Sequence, residues 1–119
     1  MKFSKNLPIY IQIQEIIFEN ILQDKWKENE KIPSVRDFAA SLEVNPNTVV
    51  KSIDKLQDLQ IIENKRGIGL YVKEGAFEKI MNIKKDKFWE NDFPELIHKA
   101  SVYNISKEDL IQRISAIKL

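Results

Sequence analysis

The sequence predicts a mainly α-helical fold with one small β-hairpin, which is an α+β arrangement. Apolar residues recur at intervals of three and four through most of the chain, and this is the period of an amphipathic helix. Two short runs on either side of the glycines near residue 68 instead indicate paired strands. With 119 residues, 43% of them hydrophobic and 31% charged, the chain is long enough for one folded domain and a short appendage.

The first predicted helix runs from Ile9 to about Asp24. Pro8 lies at its start, where a proline is favourable because the first turn needs no backbone donor. Five isoleucines spaced by about one helical turn form its apolar face: Ile9, Ile13, Ile16, Ile17 and Ile21. We expect the next segment, Lys25–Lys31, to be a polar loop in which Trp26 is a candidate core residue.

The second and third helices are each predicted by a capping residue followed by helical spacing of apolar residues. Ser34 is the expected N-cap of a helix over Val35–Leu42, and Asn45 is the expected N-cap of a helix that starts at Pro46. The expected buried residues are Val35, Phe38, Ala39 and Leu42 in the second helix and Val49, Ile53, Leu56 and Leu59 in the third. Two short helices joined by so short a turn are typical of a helix-turn-helix.

A β-hairpin is predicted directly after the third helix. Its strands are Gln60–Asn64 and Leu70–Val72, and the turn between them is Lys65–Gly69. A helix-turn-helix followed by such a hairpin is a winged helix.

Four short segments carry a family resemblance, and they follow one another as Pro8–Tyr10, Ile32–Arg36, Val44–Val49 and Arg66–Val72. In this order and spacing, over residues 8–73, the chain resembles the GntR family of bacterial transcription regulators. The Asn-Pro-Asn-Thr sequence and the short helical tail are similar to the YtrA subfamily. This resemblance implies a homodimeric repressor that binds double-stranded DNA at an inverted repeat and lacks a large effector-binding domain.

The candidate DNA-binding residues lie at the helix starts and in the wing. Arg36 matches a family phosphate-contact position and is one of only three arginines, while Arg66 lies at the expected wing tip. Asn47 and Lys51 have side chains that can pair with base edges. The full set is Ser34, Arg36, Asn45, Asn47, Thr48, Lys51, Lys65, Arg66, Gly67 and Gly69. Helix capping alone would also explain Asn45, and a plain hairpin turn would also explain Gly67.

The sequence departs from the family at four positions. Pro46 and Val50 stand where the recognition helix often has arginine, so the strongest purine-reading side chains are absent. Glu43 and Gln60 stand where glycine is frequent. A left-handed backbone at Glu43 would cost a non-glycine residue about 1–2 kcal/mol, so we expect an altered turn or compensating packing.

The tail after Gly75 is predicted to be helical and to form the dimer. Its apolar stripe is too large for a segment that cannot bury a core alone, so it must pack on the winged helix or on a second copy. The candidate dimerisation residues are Trp89, Phe93, Leu96, Ile97, Ala100, Tyr103, Leu110, Ile114 and Ile117. We therefore expect a winged helix-turn-helix domain over residues 1–75 and a helical dimerisation hairpin over residues 76–119.

Two details of the tail concern where its helices start. Ser106 is the expected N-cap of the last helix. At Pro94, Asp92 could cap a new helix or one long helix could kink, and the sequence slightly favours the new helix.

An enzyme is the alternative from another class of function, and the sequence gives it little support. The lone His98 lies in a predicted helix near the acidic residues Glu90, Asp92 and Glu95. No His-x-x-x-His pair and no glycine-rich loop ahead of a helix accompanies them, and the chain has no cysteine. We expect no catalytic residue, no metal and no cofactor.

The remaining expectations concern location and partners. Polar residues interrupt the N-terminal segment before any run of signal-peptide or membrane-span length, so we expect a cytoplasmic protein without membrane contact.

The tail leaves little room for a pocket of about 300–1,000 Å³, so we expect an effector to bind weakly or not in a dedicated domain. A net charge of +1 does not by itself support binding to a nucleic acid. A winged helix that binds a protein or an RNA therefore stays as an alternative.

Overall fold

Three helices and a β-hairpin form the first part of the chain, and three further helices follow. The computed structural model describes residues 3–4 and 6–118. The elements are α1 (Ile9–Leu22), α2 (Val35–Leu42), α3 (Pro46–Asp58), β1 (Ile62–Lys65), β2 (Gly69–Val72), α4 (Ala76–Lys87), α5 (Phe93–Val102) and α6 (Lys107–Ser115). The predicted mainly helical class with one antiparallel hairpin is confirmed.

The core of the first part is formed by the facing stripes of the first three helices and the inner side of the hairpin. Its members include Ile13, Ile17, Ile21, Phe38, Leu42, Val49, Ile53, Leu56, Ile61, Leu70 and Val72. Trp26 packs edge-on against Phe38, with 5.3 Å between the ring centroids. Val35 and Leu59, which the sequence predicted to be buried, are only half-buried at the edge of this core. The helix α1 ends two residues earlier than expected because Asp24 has a left-handed backbone.

One buried polar contact fixes α3 against α1. Ser52 is fully buried in α3, and its hydroxyl donates a 2.7 Å hydrogen bond to the carbonyl oxygen of Tyr10. A buried hydroxyl without a partner costs about 1–3 kcal/mol, so this bond opposes sliding of the two helices. The sequence analysis did not identify Ser52.

The turn between α2 and α3 has a left-handed residue, and this residue is a glutamate. Glu43 has φ 57° and ψ 45°, its N–H donates to Ala40 and the N–H of Val44 donates to Ala39. These two hydrogen bonds form a Schellman motif, and Val44, which follows it, is half-buried. The turn is therefore not altered, and Glu43 keeps its left-handed backbone.

The hairpin differs from prediction at its start. Its first strand begins at Ile62 and not at Gln60, because Gln60 has φ 63° and cannot lie in an extended strand. The ladder pairs Ile62 with Val72 and Lys65 with Gly69.

The segment Asn29–Ile32, part of which the sequence predicted to be loop, runs along the other edge of β2. The N–H of Ile32 donates to Leu70, and the N–H of Val72 donates to Glu30. A bridge also pairs Lys31 with Tyr71. The wing is thus anchored to the chain ahead of α2.

The start of α4 belongs with the winged helix. Ala76 and Ile80 are fully buried, and the carboxylate of Glu28 accepts hydrogen bonds from the N–H groups of Gly75 at 2.7 Å and Phe77 at 3.3 Å. The chain forms two compact units, one ending at Met81 and the other beginning at Asn82. The boundary after Gly75 remains a prediction about the folding domains.

A helix begins directly after Asp92, at Phe93, but the expected side-chain cap by Asp92 is wrong. Asp92 has helical backbone angles and makes no side-chain cap, and residues 88–92 form a π-helical turn between α4 and α5. In this turn the N–H of Phe93 donates to the carbonyl of Phe88, five residues back. Pro94 donates no hydrogen bond and its ring would crowd the carbonyl four residues earlier, and a widened turn accommodates both effects. The predicted cap at Ser106 is confirmed, because its hydroxyl accepts from the N–H of Asp109 at 3.0 Å.

The left-handed backbone of Glu43 leads to a prediction about stability. We expect Glu43→Gly to raise the free energy of unfolding by about 0.5–1 kcal/mol, because glycine relieves the strain but loses more chain entropy on folding. Chemical denaturation measures the change. Glu74→Gly is the matched control, because Glu74 is exposed and lacks a positive φ. We expect it to lower the free energy of unfolding, and equal effects of the two variants would contradict the strain.

Candidate nucleic-acid interface

The first turn of α3 presents one free amide to solvent. The side chain of Asn45 accepts a 2.8 Å hydrogen bond from the N–H of Asn47, so Asn45 is used as the helix cap. Asn47 is exposed, and its side chain has no hydrogen-bond partner among the described residues. Thr48 is half-buried. Of the candidate residues at this helix start, Asn47 is therefore the one whose side chain is most available to a ligand.

Lys51 lies on the exposed face of α3, but its ammonium group packs on an aromatic ring. The Nζ atom lies 3.9 Å from the centroid of the Tyr10 ring in α1. Such a cation–π contact at an exposed site stabilises by about 0.5–1 kcal/mol. No local sequence pattern indicates that the ring of Tyr10 holds the ammonium group of Lys51. For Lys51 to reach a base edge, its ammonium would have to leave the ring.

The start of α2 places a cation beside a capped helix terminus. The hydroxyl of Ser34 accepts from the N–H of Asp37 at 3.1 Å. Arg36 is exposed and makes no hydrogen bond or ion pair within the described part of the chain. A free guanidinium next to the positive end of a helix is suited to an anion such as a phosphate.

The wing carries two further cations and a turn whose backbone favours glycine. Gly67 has φ 77° at the tip, where Arg66 is exposed. Lys65 packs over the ring of Tyr71, with its Nζ atom 4.3 Å from the ring centroid.

Lys31 is a wing residue that the sequence analysis missed. Gly69 has φ 139°, and a Cβ atom there would lie 2.7 Å from Cε of Lys31. The side chain of Lys31 therefore lies against the backbone of Gly69, and a larger residue at position 69 would displace it. Lys31 precedes α2 in sequence, so only its pairing with Tyr71 reveals this position.

The second compact unit has an apolar surface that its own residues do not cover. Among the candidate dimerisation residues, Trp89 is 61% exposed and Ile114 is 56% exposed, whereas Ala100 is buried. Phe88, Trp89 and Phe93 form an exposed aromatic cluster with centroid distances of 5.1–6.5 Å. An apolar groove of about 550 Å³ lies between α5 and α6 and is lined mainly by Phe93, Leu96, Ile97, Ile105, Leu110 and Ile114. So much exposed apolar surface is typical of an interaction site.

Residues 3–4 and 6–118 offer no arrangement typical of a metal centre. No group of three or more His, Cys, Asp or Glu residues comes together there. His98 and Glu95 are exposed on α5. Within the same residues, no helix has the length and apolar character needed to cross a membrane.

A helix-turn-helix followed by a β-hairpin that is bonded to the chain ahead of α2 defines a winged helix-turn-helix fold. The family model "Bacterial regulatory proteins, gntR family" matches residues 9–72. The chain belongs to the GntR family of helix-turn-helix transcriptional regulators, which are not enzymes.

Relatives and solved structures agree with this membership. The HTH-type transcriptional repressor YtrA of Bacillus subtilis is 36% identical over 110 residues, which cover 92% of this chain and 84% of that protein. A GntR family transcriptional regulator from Listeria monocytogenes has a similar structure, with 31% identity and a TM-score of 0.77 over 98% of this chain and all of the other. AraR(DBD) in complex with operator ORX1 has 28% identity and a TM-score of 0.56, over 60% of this chain and 92% of that one. The resemblance to the YtrA subfamily is thus confirmed.

The different roles of the two asparagines give a second prediction. We expect Asn45→Ala to lower the free energy of unfolding by about 1 kcal/mol, because it removes the cap from α3. Asn45→Asp keeps the cap and should restore most of this stability. Asn47→Ala is the control and should change stability little, because its side chain holds nothing in the described chain. Thermal and chemical denaturation test these expectations, and equal losses at both positions would contradict them.

Proposed function

We propose that this protein is a homodimeric transcriptional repressor that binds an inverted-repeat operator in double-stranded DNA. It acts in the cytoplasm, where such DNA lies. The observation that carries the proposal is the exposed first turn of α3, with the free amide of Asn47, in a fold whose family members regulate transcription. The operator complex of AraR(DBD), which has the same fold, supports DNA as the partner.

DNA binding is assigned to three parts of the winged helix. Arg36 and the backbone at Ser34 hold a phosphate and orient the domain, because an exposed arginine at a helix start suits an anion. Asn47 reads a base edge in the major groove, with Thr48 and Lys51 beside it and Asn45 as the cap. The wing, with Lys65, Arg66, Gly67 and Gly69, tracks the minor groove or its backbone.

The dimer is assigned to α5 and α6. Their exposed apolar side chains continue along one groove, and a twofold partner would present the same surface back to it. Two recognition helices related by such an axis read two half-sites, so the operator is an inverted repeat. In this proposal the second copy occupies the groove of about 550 Å³, and a small-molecule effector binds weakly or not at all.

The roles of Arg36 and Asn47 can be separated by measuring binding to two kinds of DNA. We expect Asn47→Ala to weaken binding to a selected operator by about 1–3 kcal/mol and to weaken binding to random duplex much less, because a base contact is lost. Arg36→Ala should lower both affinities similarly and reduce the salt slope by about one unit, because a phosphate contact is lost. Fluorescence anisotropy over a range of salt concentrations gives both quantities.

Glu74→Gln is a control for this experiment, because it removes one charge from an exposed site outside the proposed interface. If Arg36→Ala changed the preferred sequence and Asn47→Ala did not, the two assignments would be reversed. Retention on RNA or on a protein with no affinity for any duplex would instead favour the alternative function of a winged helix.

The proposed dimer face leads to a prediction about a positive charge placed at Ile114. We expect Ile114→Lys to shift the protein from dimer to monomer and to weaken operator binding at least tenfold, because a lysine would be buried against the partner's apolar surface. Sedimentation velocity measures the association state. Gln112→Lys places the same charge on the same helix at an exposed polar position and should leave the dimer intact. A dimer that persists in Ile114→Lys would contradict the assignment.

A further inference from the structure

One exposed apolar side chain interrupts the polar surface of α3. Val50 is 41% exposed, although Val49, Ser52 and Ile53 around it in sequence are buried. It lies three residues after Asn47, so the two side chains are neighbours on the same face of the helix. Neither the core nor a helix cap explains a valine at this position.

The other side chains at the start of α3 are engaged, apolar or, as for Thr48, half-buried. Asn45 is used as the cap, and Pro46 has no N–H. The ammonium of Lys51 packs on the ring of Tyr10. The first two turns of α3 therefore offer a ligand mainly one free amide and one apolar surface, from Asn47 and Val50.

The major groove of DNA has one apolar group that matches such a surface. Among the base edges exposed there, only thymine carries a methyl group, and apolar side chains contact it. A side-chain amide forms its best paired contact with adenine, through N6 and N7. The two available groups on α3 thus favour the same class of base pair.

We propose that Val50 contacts the 5-methyl group of a thymine and, together with Asn47, makes α3 a reader of A·T pairs. This inference rests on the proposed operator binding and names its base specificity. The Cβ atoms of residues three apart on a helix are about 5–6 Å apart, and base pairs rise by about 3.4 Å. The two contacted base pairs in each half-site are therefore adjacent or separated by one pair.

The test removes the methyl group from the DNA and the apolar group from the protein. The operator is first selected from random duplex with the full-length protein, and each thymine is then replaced in turn by deoxyuridine, which lacks only the methyl group. We expect one position in each half-site to lose about fourfold in affinity, the effect of one buried methyl group. Val50→Ala should lose a similar factor on the thymine operator and show no further loss when that position carries deoxyuridine.

Two controls keep this experiment interpretable. Leu7→Ala removes a similarly exposed apolar side chain outside α3, and this variant should keep the full sensitivity to deoxyuridine. Thermal unfolding should show Val50→Ala to be as stable as the unmodified protein, because alanine is a better helix former than valine.

The outcomes separate this inference from the proposed function. If the protein selects an operator but no thymine position responds to deoxyuridine, or if Val50→Ala keeps the sensitivity, the base assignment is overturned and operator binding stands. If the protein selects no duplex at all, operator binding and the base assignment are both overturned.

Discussion

The packing of α1 on α3 is the contact on which the proposed DNA-binding surface depends. The fully buried Ser52 donates to the carbonyl of Tyr10, and this bond fixes the position of α3 along α1. The same contact brings the Tyr10 ring beneath the ammonium group of Lys51. Because the inner face of α3 is held in this way, its outer face is fixed as well. This hydroxyl thus acts together with the apolar core to hold α3 in the position from which its polar groups face solvent.

Backbone geometry holds the other parts of the interface in place. The left-handed residue Glu43 closes α2 with two hydrogen bonds and sets the direction in which α3 begins. On the other side, β2 pairs with both β1 and the segment before α2, so one edge of the wing is bonded to the chain that leads into the helix-turn-helix. These contacts use main-chain atoms, and they leave the exposed side chains free to differ between relatives. This explains how α3 can lack arginine at Pro46 and Val50 while its fold is retained.

The two compact units differ in how much of their apolar side chains is exposed to solvent. Up to Met81, most large apolar side chains are buried, and the exposed surface is mainly polar. From Asn82 onward, apolar side chains such as Trp89, Ile97 and Ile114 are exposed on short helices. A segment of this size cannot enclose a core of its own, so its apolar residues are available for association. The first unit is thus stabilised by its own core, whereas the second unit leaves much of its apolar surface exposed.

The sequence by itself determined the order of the helices, three of their caps and the presence of the hairpin, because these depend on local chemistry. Ser34, Asn45 and Ser106 cap the helices as predicted, since a cap needs only a side-chain oxygen and the next few backbone N–H groups. Only the tertiary structure decided where side chains from distant segments meet. It brought Tyr10 to Lys51 and Lys31 to Gly69, which lie about forty residues apart in each case. It also decided that Pro94 follows a π-helical turn and that Gln60 lies outside the strand. Such outcomes depend on packing and on competition among several hydrogen bonds, and a local sequence pattern contains neither.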